Sequence, residues 1–369
     1  MKNTFGQNIT VTLFGESHGA AIGAVIDGLA PGLPVSEDRI SKELTRRRPK
    51  SGIDTLRVEA DNFSILSGVF DGKTTGTPLC IIIPNENTKS GDYSYGIARP
   101  SHADYAAHCK YHGFEDYRGG GHFSGRITAA LCAVGGILLP ALENLGIKIG
   151  THILECGGVR DDGFCDFEKE FENLKSAPFP TISAQRGDEM LEKIMAVKRD
   201  GDSIGGITQT AISGVPAGLG EPWFDSVEGI LSHAVFSLGG IKGIEFGKGF
   251  GFANGVGSEL NDEFFAENGK IYTKTNSNGG INGGITNGMP IVFDCAVKPT
   301  PSISKPQKSV DFTKCENAEI TVGGRHDPAI IRRICPVIDS VCAIVISDFI
   351  AGRFGTDALS EGIKQCNSD

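Results

Sequence analysis

Residues 99–145 read RPSHADYAAHCKYHGFEDYRGGGHFSGRITAALCAVGGILLPALENL and join a polar segment (99–128), rich in histidine and glycine, to a long apolar one. The apolar part, residues 127–145, is predicted to form a mostly buried helix that ends at Gly146, with a kink at Pro140. A helix that is apolar on every side packs inside a protein. The stretch therefore predicts a core helix whose N-terminal end carries the polar segment.

The polar segment contains residue types that core packing does not require. Gly119–Gly121, followed by Ser124 and Arg126, can present backbone N–H groups, a hydroxyl and a guanidinium to one anion. His102 and Asp104 lie close by in sequence and are candidate proton-transfer groups. We interpret the polar segment as the centre of an active site.

The overall charge narrows the classes of partner that this chain can have. The net charge is −10 over 369 residues, which argues against a nucleic acid or an anionic membrane as partner. Local arginine clusters nevertheless occur at Arg46–Arg48, Arg126, Arg325 and Arg332–Arg333. An acidic protein with a few tight arginine clusters suits a small anionic ligand better than a polyanion.

The cysteines and the N-terminal sequence indicate the cellular compartment. The start, MKNTFGQNITVTLFGES, lacks a secretory signal pattern, and no run reaches the ~18 apolar residues of a membrane span. The ten cysteines include no CxxC pair, which indicates reduced thiols and neither a disulfide framework nor a metal site. We therefore expect a cytoplasmic protein without a bound metal.

The order of the predicted elements indicates the fold class. Strands and helices alternate without a break in composition, which predicts one compact α/β or α+β domain over residues 1–369. The glycine-rich segments match neither a dinucleotide-binding fingerprint nor a phosphate-binding P-loop. The segment 157–186 is charged, and we expect it to be irregular and without chemistry.

Two segments near the N-terminus have both a functional and a purely structural interpretation. A predicted strand at 8–14 runs into Gly15–Gly19 (GESHG), where His18 faces either a ligand or its own turn. A predicted helix from Ser36 to about Arg47 ends in three arginines, Arg46–Arg48. Cations suit a helix C-terminus as well as they suit an anion, so both interpretations remain open at this point.

Three segments in the second half of the chain are similarly ambiguous. Residues 276–288, rich in Gly and Asn, have the composition of a flexible linker, although backbone near a ligand is the alternative. Residues Lys298–Ser302 follow a predicted strand and could bind a phosphate. Arg325–Asp327 precede Pro328, which is predicted at the first position of a long apolar helix, so these charges are either caps or site residues. A capping box at Asp225–Glu228 predicts a further helix.

Three blocks occur in the same order as in chorismate synthases: GESHG at 15–19, RPSHADY at 99–105 and GGRHDP at 323–328. Any one block could arise by chance, but all of them in register are highly specific. The resemblance covers nearly the whole chain. Supporting matches are RRRP at 46–49, LSGVFDGKTTGTP at 66–78, DYRGGG at 116–121, FDSVEGILSHAVFSLGGIKGIE at 224–245 and KPTPSI at 298–303.

The resemblance implies a specific reaction. Members of that family remove phosphate and a ring proton from 5-enolpyruvylshikimate 3-phosphate in a 1,4-anti elimination that yields chorismate. They require reduced FMN (FMNH2) although the reaction has no net redox change. The resemblance also implies a β-α-β sandwich, with helices packed between antiparallel sheets, and a homotetramer.

Residue roles follow from the positions that match the family's motifs. His18 would donate a proton at the leaving phosphate, His102 would stabilise the reduced flavin, and Asp327 would help the flavin accept the substrate proton. The phosphate and two carboxylates of the substrate would be bound by arginines, since guanidinium groups pair bidentately with both anion types. The matching arginines are Arg47, Arg48, Arg57, Arg126 and Arg325.

The resemblance also assigns contacts to the flavin, many of them at glycines where backbone amides can approach a cofactor. The flavin-binding residues implied in this way are His122, Phe123, Ser124, Gly239, Gly240, Gly283, Lys298, Pro299, Thr300, Pro301, Ser302 and Arg325.

The chain departs from the family pattern at two places. Residues 122–128 read HFSGRIT where most members have RSSARET, and Ile53 replaces a frequent arginine. NADP binding and built-in flavin reduction therefore remain open. The alternative to an enzyme is a non-catalytic relative that binds FMN or a phosphorylated ligand. Retention of His18, His102 and Asp327 favours the enzyme.

Overall fold

The structure is a computed structural model and describes residues 2–50, 52–55, 59–88, 95–323 and 326–363. The α-helices in this part of the chain are α1 (Glu37–Arg47), α2 (Asp104–Tyr111), α3 (Thr128–Asn144), α4 (Phe167–Ser176), α5 (Ala184–Arg199), α6 (Val227–Phe236), α7 (Gly257–Leu260), α8 (Ile331–Phe354) and α9 (Ala358–Glu361).

The strands of the same residues pair antiparallel throughout. They are β1 (Thr4–Phe5), β2 (Thr10–Gly15), β3 (Ala21–Asp27), β4 (Ser64–Ser67), β5 (Val69–Phe70), β6 (Lys73–Thr74), β7 (Leu79–Pro84), β8 (Lys148–Cys156), β9 (Val159–Arg160), β10 (Gly206–Ser213), β11 (Ile241–Phe246), β12 (Phe264–Glu267), β13 (Lys270–Thr273), β14 (Ile281–Asn282), β15 (Ile285–Thr286), β16 (Ile291–Val297), β17 (Gln307–Asp311) and β18 (Glu316–Ile320).

Two five-stranded sheets form the outer layers. The first has the order β1-β2-β3-β7-β4 and the second the order β11-β16-β10-β8-β9. In the second sheet Gln209 of β10 stands opposite His152 of β8 and Asp294 of β16. The remaining strands form two-stranded ribbons.

Helices α3 and α8 lie between the sheets and pack against each other. Helix α3 contacts β3 and β7 of the first sheet and β8 of the second, while α8 contacts β8 and β10. Gly135 and Gly136 permit this close packing, because a Cβ at Gly135 would overlap Ser340 of α8 and one at Gly136 would lie 2.5 Å from Cα of Ile40 in α1. The predicted fold class, helices between antiparallel sheets, is confirmed.

The predicted core helix is α3, with Pro140 inside it. Two helical stretches, Gly125–Asn144 and Ile331–Phe354, are long and apolar enough to cross a membrane, but 83% and 94% of their apolar windows are buried inside the protein. Burial of that extent on both helices is the signature of core packing. They are core helices of this fold.

Helix α1 matches its prediction closely, because Ser36 accepts a hydrogen bond from the Arg39 amide at 3.3 Å. The helix predicted from the capping box is α6, but its cap is Ser226, whose hydroxyl accepts from the amide of Gly229 at 3.0 Å. The box prediction placed the cap one residue too early, since Asp225 belongs to a short 3₁₀ turn.

Three other expectations were wrong. The segment 157–186 is not irregular, because Asp166 caps α4 inside it. Residues 276–288 are not a linker, because they fold into the β14–β15 hairpin with Ile281 buried. Pro328 does not occupy the first position of α8, which begins three residues later at Ile331.

Candidate functional site

A cavity of about 950 Å³ opens where the polar segment, the first turns of α8 and the chain after β16 meet. Its lining combines basic, acidic and apolar side chains from distant parts of the sequence. The residues that carry its chemistry are Arg47, Thr55, Glu59, Asp61, Arg99, His102, Gly119, His122, Phe123, Ser124, Arg126, Gly239, Gly240, Lys242, Lys298, Pro299, Thr300, Pro301, Ser302, His326, Asp327 and Arg333.

The triple glycine lets two histidine rings pack against the backbone of the cavity wall. All three glycines have positive φ values, which residues with a Cβ rarely adopt. A Cβ at Gly119 would overlap the ring of His18, and a Cβ at Gly120 would lie 3.2 Å from Cε1 of His102. The sequence pattern was interpreted as an anion cradle, and the structure adds a packing reason for it.

His18 lies directly behind this backbone. The side chain is 9% exposed and is not among the residues that line the cavity, whereas its neighbour Gly119 is. The amide of Ser17 donates to the carbonyl of Gly121 at 3.0 Å, which joins the GESHG turn to the polar segment. The structure therefore brings His18 to the cavity wall, separated from the cavity by the glycine backbone.

His102 is oriented by Asp104 within the cavity. Its Nδ1–H donates to Oδ1 of Asp104 at 2.7 Å, and Arg99 binds the same carboxylate through Nε and Nη2 at 2.8 and 2.7 Å. Burial raises the pKa of Asp104, but the hydrogen bonds from Arg99 and His102 outweigh it and hold that pKa well below its usual range. An ionised Asp104 fixes the proton on Nδ1, so Nε2 of His102 is free to exchange a proton.

Asp61 gathers three of the predicted substrate arginines around one carboxylate. Arg126 donates from Nη1 to Oδ1, while Nη2 of Arg47 and Nε of Arg48 lie 3.4 and 3.5 Å from Oδ2. The Asp61 side chain is 0% exposed. Burial raises the pKa of Asp61, but the neighbouring guanidinium charges more than offset this and keep it below the ordinary value.

The predicted substrate arginines differ in their burial and in whether they line the cavity. Arg126 and Arg47 line it and are buried, whereas Arg48 is partly exposed and does not line it. Burial, aided by the charge of Arg333, lowers the pKa of Arg47 to about 10. The remaining two, Arg57 and Arg325, lie outside the described residues.

Asp327 lines the cavity and is held on both carboxylate oxygens. Oδ1 accepts from the backbone amide of Thr55 at 2.8 Å, and Oδ2 accepts from Nη1 of Arg333. His326, next in sequence, donates from Nε2 to the carbonyl of Gly323 at 2.8 Å. Burial lowers the pKa of His326, which favours its neutral form.

Ten of the twelve residues to which the resemblance assigned flavin contacts line the cavity. Of the other two, Arg325 lies outside the described residues. His122, Phe123 and Ser124 come from the polar segment, and Gly239 and Gly240 come from the chain that follows α6. Residues 298–302 follow β16. Gly283 lies in the β14–β15 hairpin and does not line the cavity.

Hydrogen bonds fix several of these flavin-assigned side chains. Nδ1–H of His122 donates to the carbonyl of Gly15 at 2.8 Å, which leaves Nε2 toward the site. Nζ of Lys298 donates to the carbonyl of Ser101 at 2.6 Å. Burial lowers the pKa of Lys298, and the positive charge of Lys242 acts in the same direction. A second cation therefore stands close to Lys298 at this wall.

Sequence reasoning missed two residues that organise the site. Asp61 was not singled out, although it sits among the substrate arginines, and Arg333 was noted only as part of a positive cluster. Asp61 also pairs with Arg126, 65 residues away, and Arg333 also donates to the carbonyl of Arg47, 286 residues away, so no local pattern marks these contacts. In the described residues there is no cluster of His, Cys, Asp or Glu suited to hold a metal ion.

Comparison with known proteins places this chain in a family. The family model described as chorismate synthase matches residues 9–351. The chain is 47% identical over 349 residues to the chorismate synthase of Methanosarcina mazei, covering 94% of this chain and 95% of the relative. It is 43% identical over 351 residues to that of Pyrococcus abyssi, covering 94% and 97%.

A solved structure agrees with the sequence comparisons. A crystal structure of a chorismate synthase superimposes with a TM-score of 0.76 at 30% identity and covers 95% of this chain and 94% of that one. The resemblance first noted in the three sequence blocks is thereby confirmed. The chain belongs to the chorismate synthase family, whose members are lyases of aromatic amino acid biosynthesis that act on a small-molecule substrate.

Proposed function

We propose that the protein catalyses the 1,4-anti elimination of phosphate from 5-enolpyruvylshikimate 3-phosphate, giving chorismate, with reduced FMN as a cofactor that undergoes no net redox change. The observation that carries this proposal is the meeting of Arg47, Arg126, His102 and Asp327 on one cavity. These residues provide anion binding and proton transfer in the same space, as an elimination of phosphate requires.

The anionic groups of the substrate are bound, in this proposal, by Arg47, Arg48 and Arg126 together with Arg57 and Arg325. Two of the three arginines around Asp61, Arg47 and Arg126, are almost fully buried, so their charges are weakly screened. A guanidinium in such a setting binds phosphate or carboxylate more strongly than a surface lysine does. This supports binding of a substrate with one phosphate and two carboxylates.

The cavity also fits a flavin. Leu238, Ile330 and Ile334 contribute apolar surface to its lining, and residues 298–302 after β16 contribute polar groups. Oγ1 of Thr300 is buried without a hydrogen-bond partner among the described residues, so it is available to a ligand group. We assign the flavin to His122–Ser124, Gly239–Gly240 and 298–302, with Gly283 and Arg325 as the further positions that the family implies.

Proton transfer is assigned to three residues. Reduced FMN, when bound, would supply the transient electron that the elimination needs. His102, with its Nδ1 held by Asp104, presents Nε2 to the cavity, where it can stabilise a negative charge. Asp327 faces the cavity as a proton acceptor, and His18, behind Gly119, reaches the phosphate end as a donor once the wall adjusts.

We extend the proposal to the state of the protein in the cell. It would act as a single domain over residues 1–369 and assemble as a homotetramer in the cytoplasm, without nucleic acid or membrane partners. All cysteines in the described part of the chain are free, which is compatible with a reducing compartment. NADP-dependent flavin reduction by the protein itself is not part of the proposal, given Ile53.

An anaerobic assay tests the reaction. Purified protein is mixed with photoreduced FMN and 5-enolpyruvylshikimate 3-phosphate, and phosphate release and chorismate absorbance are followed. We expect both products in equal amounts and none with oxidised FMN. Binding of FMN and substrate, measured by calorimetry, without phosphate release would identify the non-catalytic relative and refute the enzyme.

A further inference from the structure

The Asp61 carboxylate already occupies the position that an anion would take among three guanidinium groups. Arg47, Arg48 and Arg126 all direct N–H groups at its two oxygens. Asp61 has φ of 53°, a conformation that aspartate tolerates better than most side chains. Its side chain is fully buried yet belongs to a residue of the cavity wall.

The three guanidinium groups are also anchored independently of Asp61. Arg126 donates from Nε to Asn85 Oδ1 at 3.0 Å and from Nη2 to the carbonyl of Pro84 at 3.1 Å. Nη1 of Arg47 lies 3.5 Å from the carbonyl oxygen of Gly125, and Nη2 of Arg48 donates to the carbonyl of Ala60. Loss of the Asp61 charge would therefore leave three positive groups close together.

The nearby Glu59 does not replace this function. Its Oε2 accepts from the backbone amides of Glu86 and Asn87 at 3.2 and 3.1 Å. A small dianion such as inorganic phosphate would meet three cations and one anion in the natural protein. Without the Asp61 charge it would meet three cations and newly released N–H donors, and it would bind more tightly.

We propose that Asp61 is a specificity-determining residue that acts as an internal counter-ion and keeps inorganic phosphate from occupying the arginine cluster. The proposal rests on the proposed function, in which phosphate is a product that must leave. The full substrate contacts further parts of the cavity through its carboxylates, so its affinity depends less on this one position. Asp61 thereby raises the preference for substrate over free phosphate.

Calorimetric titration with inorganic phosphate, at constant ionic strength and without flavin or substrate, tests the proposal. We expect Asp61→Asn to lower the dissociation constant for phosphate about tenfold or more. Asparagine keeps the side-chain shape and tolerates the positive φ. An unchanged or raised dissociation constant, or absence of phosphate binding by every variant, would overturn the proposal.

Asp54→Asn is the matched control. Asp54 is a buried aspartate of the same loop region, but it pairs with Arg332 and does not line the cavity. Its replacement also removes a buried negative charge, so a general loss of stability would appear in both variants. Only Asp61→Asn is expected to change phosphate affinity by more than about twofold.

A double variant that removes one positive and one negative charge tests the proposal if Asp61→Asn alone does not fold. Arg48→Gln should weaken phosphate binding, and adding Asp61→Asn to it should restore affinity by about tenfold. No gain in that background would refute the counter-ion function. Because these titrations involve no turnover, they remain decisive even if the anaerobic assay shows that the chain releases no phosphate from the substrate.

Discussion

Arg333 donates from Nη1 to Oδ2 of Asp327, and from Nε to the backbone carbonyl of Arg47 at 3.0 Å. One guanidinium thus connects the proposed proton acceptor to the C-terminal end of α1, where the substrate arginines begin. Its neighbour Arg332 donates to the carbonyls of Arg46 and Arg48 at 3.1 and 2.7 Å. The first turn of α8 therefore positions both halves of the site.

Replacing Arg333 by lysine should remove the connection between Asp327 and the C-terminal end of α1. Lysine carries one compact ammonium group and cannot reproduce the planar fork that reaches two acceptors at once. We expect kcat to fall about 10- to 100-fold, while the dissociation constant of the substrate, measured without reduced flavin, changes less than about threefold.

Arg353→Lys is the control for that variant, because Arg353 lies at the other end of α8 and donates to the carbonyl of Gly218, away from the cavity. Equal small effects of the two substitutions on kcat would show that Arg333 has only a structural function.

The Asp104 carboxylate should control the orientation and the tautomer of His102. Asp104→Asn removes the anion that accepts from Nδ1–H at 2.7 Å, so the imidazole loses its fixed tautomer and its charge stabilisation. We expect kcat to fall about 100-fold.

A double-mutant cycle with His102→Ala checks this interpretation. In the His102→Ala background, Asp104→Asn should add little further loss of activity, because its effect passes through the imidazole. A full additional loss would instead assign Asp104 to the folding of the segment, through its two hydrogen bonds from the Arg99 side chain.

Any side chain at position 119 should disturb the position of His18. A Cβ at this position would overlap the His18 ring, so Gly119→Ala must displace either the histidine or the cavity wall. We expect a loss of activity comparable to that of His18→Ala, about 100-fold. Steady-state phosphate release measures both variants.

Gly72→Ala separates this clash from backbone strain. Gly72 has φ of 69°, near the 60° of Gly119, but a Cβ there would meet nothing within 4 Å. Its substitution should reduce stability by about 1 kcal/mol and leave kcat unchanged. If Gly119→Ala behaves in the same way, the contact with His18 is unimportant.

Asp339 should make stability depend on pH. Burial raises its pKa from 3.8 to about 6, against the attraction of Arg46 at 2.8 Å. A carboxyl whose pKa is raised by folding stabilises the fold below its unfolded pKa and loses that contribution as pH rises through the folded value. The relevant window therefore runs from about pH 4 to about pH 6.

The comparison with Asp339→Asn isolates this group. Relative to that variant, the natural protein should gain about 1 kcal/mol in free energy of unfolding between pH 7 and pH 5. Urea unfolding of both proteins at the two pH values measures the difference. A constant difference would show that Asp339 stays ionised over this range.

Periodicity and caps were sufficient to predict much of the fold. The all-round apolar character of 127–145 predicted α3, and Ser36 predicted the start of α1. Patterns failed where a long-range contact decides the local structure. Residues 276–288 look like a linker by composition, but Asn276 donates to the carbonyl of Pro290 at 2.8 Å and so helps fold the segment.

The residues of the candidate site likewise divide into those that local sequence patterns mark and those that only distant contacts define. Motifs with unusual residue types, such as the triple glycine and the sequence around His102, were recognisable because packing does not demand them. Asp61 and Arg333 were not, because an acidic residue or an arginine is ordinary until its partners are known. Their functions depend on contacts between segments that only the fold brings together.

The contacts of α8 have a consequence for the order of events during synthesis. Asp348 accepts hydrogen bonds from the amides of Gln7 and Asn8, and Arg332 reaches back 284 residues to the carbonyl of Arg48. Contacts of such sequence separation form late and slowly. During synthesis the first fifty residues therefore lack these partners until residues 332 and 348 have left the ribosome. Until then the site that α8 helps to position is incomplete, and α3 lacks the helix against which it packs, which leaves apolar surface exposed to aggregation.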